Sequence, residues 1–132
     1  MLFSDKELNF DIPKVMGIIN LTPDSFSDGG RFFSKNSLEV DRSKVLKEIE
    51  AMENSGASFI DIGAESTRPN SVRISVQEEM DRLMPILEEI KNIRAVVSID
   101  SSKGEVIFEA IKKGVNLIND INSLEDKNSL EL

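Results

Sequence analysis

The chain has 132 residues, 39% of them hydrophobic, and a formal net charge of -8, so it is long enough for one domain with a buried core. The acidic balance argues against a nucleic-acid-binding protein, which would carry clustered basic residues. The sequence contains no Cys and no His, which excludes thiol nucleophiles, disulfides, zinc sites of thiolates or imidazoles, and histidine catalysis within these residues. A metal would need oxygen ligands, which suits magnesium.

Patterns of membrane and secreted proteins are also missing from the sequence. No apolar run approaches the roughly 18 residues of a membrane span. Residues 1–10 have no basic segment followed by an apolar one, so no signal peptide is predicted. We therefore expect a cytoplasmic protein that binds neither membrane nor nucleic acid.

The first predicted unit is a strand, a long loop and a helix. Lys14–Ile19 is short, continuous and rich in β-branched residues, like a strand buried on both faces. Residues 21–37 read as a loop. Apolar side chains at helical spacing predict a helix over Leu38–Asn54, with Ser37 as its N-cap and Gly56 as its stop.

The second unit repeats this order. Ala57–Ile62 predicts a strand, and residues 63–75 predict a second long polar loop. Ser75 and Glu78 have the spacing of a capping box, which predicts a helix that continues to Ile90.

Two shorter units follow. Ala95–Ile99 predicts a third strand, and Asp100–Ser102 leads into a helix that Gly114 ends. Val115–Ile118 predicts a fourth strand, and Lys127–Leu132 predicts the start of another helix.

Alternating buried strands and helices predict a parallel sheet, either an open doubly wound sheet or a TIM barrel. The predicted strands finish in polar residues (Asn20, Asp61, Asp100 and Asn119), and barrel enzymes place their sites at these strand ends. The first strand-helix turn has no G-x-G-x-x-G, which weakens a dinucleotide-binding interpretation. We predict an α/β fold, the N-terminal half of a (β/α)8 barrel with about four βα units, because a whole barrel needs about 250 residues. Residues 1–132 would then be the N-terminal part of one domain, truncated after the fourth strand.

Several polar residues in these loops could carry chemistry, and each has a plainer alternative. The loop over 20–31 exceeds the usual roughly 2–6 residues, so it is either functional or a surface insertion. Arg68 could clamp a phosphate or carboxylate, or pair with Glu65 at the surface. Asp100 could accept hydrogen bonds from a ligand or cap the next helix, and Asn119 could bind a ligand or shape a turn.

Four segments of the sequence resemble the motifs of dihydropteroate synthases, which are pterin-binding TIM barrels. Val15–Gly30, with MGIINLTPDSFSDGG, resembles their first motif, and Asp61–Pro69, DIGAESTRP, resembles the second. A glycine is more usual in the family where Ala64 stands. Ser98–Lys103 and Ile118–Ile121 resemble the third-strand and fourth-strand motifs, which are short and weak on their own.

The resemblance implies a cytoplasmic transferase of folate biosynthesis. Such enzymes condense 6-hydroxymethyl-7,8-dihydropterin diphosphate with p-aminobenzoate to give 7,8-dihydropteroate and diphosphate. Magnesium assists the departure of diphosphate, sulfonamides compete with p-aminobenzoate, and the full-length family is expected to form homodimers.

The resemblance also assigns roles to individual residues, although it assigns no catalytic residue within the chain. It assigns contacts with the pterin to Asp100, Asn119 and Ile121, and the p-aminobenzoate pocket to Phe26, Thr67 and Pro69. It assigns binding of the diphosphate to Asn20 and Arg68, and binding of the metal to Asn20 as well.

The sequence departs from the family at its end. A later aspartate, a lysine and an Arg-x-His would all lie beyond Leu132, so we expect the chain to be a fragment with little or no synthase activity alone. Two alternatives stay open: another pterin-binding barrel, such as a methyltransferase domain, and a non-catalytic half-barrel that binds a partner or self-associates. The loops at 22–30 and 66–69 favour the synthase over the methyltransferase.

Overall fold

The structure, a computed structural model, describes residues 1–23, 32–33, 39–66, 71–123 and 125. These residues form a short antiparallel hairpin, a parallel sheet and three helices. In chain order the elements are β1 (Leu2–Phe3), β2 (Lys6–Glu7), β3 (Val15–Asn20), α1 (Arg42–Asn54), β4 (Ala57–Gly63), α2 (Val76–Glu89), β5 (Val96–Asp100), α3 (Gly104–Lys112) and β6 (Leu117–Asn119).

The four parallel strands lie side by side in chain order, β3-β4-β5-β6. A doubly wound sheet would reverse its strand order at some point, whereas a barrel adds each new strand to the same side. The sequential order therefore confirms the predicted half of a (β/α)8 barrel.

One face of this sheet packs on the helices. A Cβ built on Gly17 would lie 2.5 Å from the sulfur of Met52 in α1, so this position faces the helices and needs a glycine. Alternate strand residues such as Ile19, Ile62 and Ile99 are fully buried in the same core. The opposite face is the inner face of the barrel. It carries Ile18, Asn20, Asp61, Gly63, Ser98, Asp100, Leu117 and Asn119.

The first helix begins later than predicted. Its N-cap is Asp41, whose side chain accepts a hydrogen bond from the Lys44 backbone N–H at 3.2 Å, so the prediction of Ser37 as the cap is wrong. The cause is tertiary: Val40 pairs with Phe33 in an isolated antiparallel bridge, which keeps the chain extended just before Asp41. The stop was predicted correctly, because Gly56 has φ +98° directly after the helix.

The ends of the later elements differ by one or two residues from the ends predicted from the sequence. Ser75 caps α2 as predicted, accepting from the Glu78 N–H at 3.1 Å. The fourth strand begins at Leu117 rather than Val115, because the Val115 N–H donates to Ala110 at the end of α3. The helix predicted over residues 127–132 lies outside the described residues.

The N-terminal hairpin was not predicted from the sequence. Phe3 packs edge-on against Phe59 at a ring-centroid distance of 5.4 Å, and Phe10 lies 6.2 Å from the same ring. The Lys6 ammonium donates to the Ala95 carbonyl at 2.6 Å. The hairpin thus packs on the N-terminal ends of β4 and β5.

Both outer edges of the sheet are open, since within the described ranges no strand pairs with the outer side of β3 or β6. Two residues of the edge strand β3 are exposed accordingly: Val15 is 63% exposed, and Ile18, on the inner face, is 58% exposed. No helix in the described part of the chain is both long and apolar enough to cross a bilayer.

Candidate functional site

A row of polar side chains crosses the C-terminal end of the sheet. Asn20 pairs with Gly63 between β3 and β4. Asp100 pairs with Gly63 on one side and with Asn119 on the other. Three residues that the sequence singled out, separated by up to a hundred positions, therefore share one edge of the inner face.

Gly63 gives the carboxylate in this row its space. A Cβ at this position would lie 3.2 Å from both Cβ and Oδ2 of Asp100. Few real Cβ contacts are this close, so a larger residue would displace the carboxylate. The glycine of the second motif therefore sets the position of Asp100.

The environment of Asp100 penalises its negative charge. Burial raises its pKa from 3.8 to about 6, and the nearby carboxylates of Asp61 and Glu79 act in the same direction. Asp100 does not cap α3, because the N-cap of that helix is Lys103. The Ser101 hydroxyl accepts a hydrogen bond at 3.2 Å from the backbone N–H of Lys103, the residue directly before the helix. Asp100 is thus left to accept hydrogen bonds from a ligand that presents N–H groups.

Asp61 lies one layer deeper on the same face and is only 4% exposed. Its Oδ2 accepts a hydrogen bond from the Asn119 side-chain amide at 3.0 Å, which orients that amide at the mouth of the half-barrel. Its Oδ1 and the Ser98 hydroxyl are buried without a hydrogen-bond partner in the described part of the chain. Buried polar groups of this kind are normally satisfied by water or a ligand.

Ile121 follows β6 in a turn, and its side chain is 59% exposed. It lines a pocket of about 240 Å³ together with Asp100, Glu65 and Glu79. An apolar side chain beside a buried carboxylate suits a flat heteroaromatic ring that carries N–H donors.

The other predicted site residues lie outside the described residues. These are Phe26, Thr67, Arg68 and Pro69. Their assigned contacts to p-aminobenzoate and diphosphate stay predictions.

Sequence reasoning missed an ion cluster beside the polar row. The Lys103 ammonium lies 2.7 Å from Glu65 Oε2 and 2.5 Å from Glu79 Oε2. The three side chains are 17%, 11% and 1% exposed, in that order. The available signal was Glu79, a charged residue on the same buried face of α2 as Leu83 and Ile86.

Arg82, on the same face of α2, was also missed. Its side chain is 8% exposed, and its guanidinium donates to the Ala64 carbonyl at 2.9 Å and to Glu78 at 2.6 Å. It also lies 5.7 Å over the ring of Phe33. Arg82 therefore links the start of the loop after β4 to α2 through a hydrogen bond.

The described residues offer oxygen ligands to a metal but no ready-made cage. Among them, no group of three or more Asp or Glu side chains is placed to hold an ion. Asn20 ends β3 half-buried and can offer an amide oxygen. Magnesium usually takes one or two protein ligands and completes its shell with waters and substrate phosphates, so Asn20 fits such an ion.

Comparisons with known proteins agree with this geometry. A family model described as "Pterin binding enzyme" matches residues 16–132. The chain is 46% identical over 129 residues to the dihydropteroate synthase of Haemophilus influenzae and 47% identical over 125 residues to that of Escherichia coli. These matches cover 97% and 94% of this chain but only 44% and 42% of the two relatives.

Solved structures show the same likeness. The fold superimposes on a dihydropteroate synthase of Yersinia pestis with a sulfonamide drug complex at a TM-score of 0.89 and 41% identity, covering 99% of this chain and 46% of that one. It matches a Xanthomonas albilineans dihydropteroate synthase with 4-aminobenzoic acid at a TM-score of 0.81 and 35% identity, covering 98% and 46%. The chain spans about half the length of the relatives it matches.

Proposed function

Because the chain belongs to the family of pterin-binding enzymes, we propose that it carries half of the active site of a dihydropteroate synthase. The reaction joins 6-hydroxymethyl-7,8-dihydropterin diphosphate to p-aminobenzoate and releases diphosphate. The row formed by Asn20, Asp100 and Asn119 at the C-terminal strand ends carries this proposal.

The proposal gives the pterin to the inner face. Asp100 accepts hydrogen bonds from adjacent N–H groups of the pterin ring, which relieves the cost of its partly buried charge. Asn119, oriented by Asp61, contributes a further polar contact. Ile121 packs on the ring from the rim of the pocket.

The remaining groups serve the leaving diphosphate and the incoming amine. Asn20 and Arg68 bind the diphosphate, and Phe26, Thr67 and Pro69 form the p-aminobenzoate pocket. Asn20 would hold part of the shell of a magnesium ion, which when bound would supply positive charge to stabilise the departing diphosphate. The chain's own contribution is to orient the exocyclic methylene of the pterin toward the amine.

A hybrid protein tests this proposal. Residues 1–132 are joined to the part of the Haemophilus influenzae relative that lies beyond the matched region, and labelled p-aminobenzoate is followed into dihydropteroate. We expect the hybrid to form product and the isolated chain to form little or none, because the chain spans 44% of that relative.

Two variants of the hybrid separate the site from the fold. Asp100→Asn should lower kcat/KM by about a hundredfold, since a hydrogen bond to a charged group contributes up to about 3 kcal/mol. Asp11→Asn, at an exposed carboxylate near the N-terminus, should leave it unchanged. A hybrid that folds and binds pterin but forms no product would instead support the non-catalytic binding module.

The proposal extends to three properties of the family. A cytoplasmic location, a homodimer and sulfonamide competition with p-aminobenzoate follow for the complete protein. Sulfonamide competition is checked in the same hybrid, as a rise in the apparent KM for p-aminobenzoate.

A further inference from the structure

Lys103 connects three parts of the site. It is the N-cap residue of α3, three residues after Asp100, yet its side chain makes no capping bond. Its ammonium instead bridges Glu65, in the loop after β4, and Glu79, in the first turn of α2. Lys103 ends the segment that resembles the third-strand motif, but neither that resemblance nor the chemistry above assigns it a role.

We propose that Lys103 is a positioning residue that fixes Glu65 and, through it, the two described ends of the loop after β4, and that it thereby supports binding of the second substrate. This inference rests on the proposed function, which places p-aminobenzoate against Thr67 and Pro69 of that loop. Lys103 touches neither substrate and acts through Glu65.

Glu65 is the residue through which the effect is transmitted. Its Oε2 accepts from the backbone N–H of Ile74 at 2.9 Å, and its Oε1 lies 3.5 Å from Arg73. One carboxylate at the beginning of the loop thus holds the backbone at its end. Residues 66–73 lie between these two points, so fixing Glu65 fixes both ends of the segment.

The two carboxylates of Glu65 and Glu79 explain why a cation is needed between them. Two poorly exposed carboxylates face one ammonium, and Glu79 Oε1 is buried without a partner among the described residues. Burial opposes ionisation of Glu65, but the hydrogen bonds from Lys103 and Ile74 outweigh it and lower its pKa. Burial likewise opposes the charge of Lys103, while the bonds to Glu65 and Glu79 raise its pKa. Without Lys103, Glu65 would keep only the Ile74 N–H and the exposed Arg73, which lies 3.5 Å from its Oε1.

The chain contains a matched control. Lys113 pairs with Glu88, so it also links α3 to α2, but at the opposite end of the helices and far from Glu65. Lys113→Met removes an ammonium and an interhelical ion pair without touching the loop. Any difference between the two lysine variants therefore reports on position rather than on charge.

The test compares Michaelis constants in the hybrid. Lys103→Met should raise the KM for p-aminobenzoate about tenfold and that for the pterin diphosphate less than about twofold, because displacing a binding group even slightly is costly. Lys113→Met should change neither. A general loss of folded protein would lower the rate without changing the ratio of the two KM values.

A double variant covers the case in which Lys103→Met does not fold. Lys103→Met with Glu79→Met removes the uncompensated buried charge as well, so the fold is restored while Glu65 still lacks the Lys103 ammonium. The proposal predicts a raised KM for p-aminobenzoate in this variant too. Normal values for p-aminobenzoate in the double variant overturn it.

A second measurement, on the chain itself, distinguishes failure of the proposed function from failure of the positioning role of Lys103. If the parent hybrid forms no product, the synthase proposal fails, and hydrogen exchange at the Ile74 amide then tests the positioning role. We expect exchange about tenfold faster in both Lys103 variants and unchanged in Lys113→Met. Unchanged exchange in the Lys103 variants would refute the inference.

Discussion

The N-terminal and C-terminal ends of the same parallel strands carry different kinds of side chain. At the N-terminal end, three phenylalanine rings, Phe3, Phe10 and Phe59, pack with centroids 5.4–6.3 Å apart. Backbone groups there have partners: Ala95 donates to Glu53 at 2.8 Å and accepts from a lysine. At the C-terminal end β3 and β6 finish in amides, Asn20 and Asn119, and β5 finishes in the carboxylate of Asp100.

The difference separates an end that stabilises the fold from an end that we propose binds the ligand. Packing of the partly exposed rings of Phe3 and Phe10 against the buried ring of Phe59 contributes directly to stability. At the other end Asp100 is held where its charge is costly, and Asp61 keeps one oxygen without a partner among the described residues. A barrel enzyme typically separates stability and activity between its two faces in this way.

The largest expected effect comes from breaking the N-terminal end. Phe59→Ala should lower the free energy of unfolding by about 3–5 kcal/mol, because it leaves a cavity and removes the contact that anchors the hairpin. Urea denaturation of the chain measures the loss. Phe108→Ala, at a ring that is 43% exposed on α3, is the control and should cost less than about 1 kcal/mol. Equal losses in the two variants would contradict the stabilising role of the aromatic cluster.

A smaller effect is expected from crowding the C-terminal end. Gly63→Ala places a methyl group 3.2 Å from Asp100 and should destabilise the chain by about 1–3 kcal/mol. In the hybrid it should also weaken pterin binding about tenfold, measured by calorimetry, because it displaces the carboxylate. Gly56→Ala is the control: its strained φ of +98° lowers stability, but nothing lies near the added methyl group, so pterin binding should be unchanged.

The strands and the polar row were predictable because they depend on local sequence patterns. A buried β-branched strand is continuous in sequence, and polar residues such as Asn20 and Asp100 interrupt that run where the strand ends. Parallel strands then bring these ends together whatever the loop lengths are. The resemblance to a known family added an expected role for each residue.

The ion cluster and the true start of α1 were not predictable in this way. Lys103 reaches partners 38 and 24 residues away, and no periodic pattern reports such a contact. Asp41 becomes the cap only because Phe33 holds Val40 extended, which is a tertiary effect. The two-residue strands of the hairpin are too short to show any periodicity.

A still smaller effect, of opposite sign, is expected at Asp100. Its folded-state pKa of about 6 lies above the ordinary 3.8, so the ionised form costs stability above pH 6, and this cost disappears as the pH falls toward 3.8. Asp100→Asn should therefore stabilise the chain at about pH 7.5 by about 1 kcal/mol, since solvent screens part of the repulsion, and have little effect near pH 4. Urea denaturation at both pH values checks the sign. A variant less stable than the parent at about pH 7.5 would show that Asp100 supports the fold rather than the ligand.

The smallest effect is expected for a charge at the N-terminal end. Lys113 and Glu88 form an ion pair whose side chains are 27% and 54% exposed, so water competes with it. Lys113→Met should lower the free energy of unfolding by less than about 0.5 kcal/mol, and added salt at about 1 M should remove the difference by screening. A loss above about 2 kcal/mol that survives salt would mean that charges also stabilise this end, and the contrast between the two ends would then rest on the aromatic cluster alone.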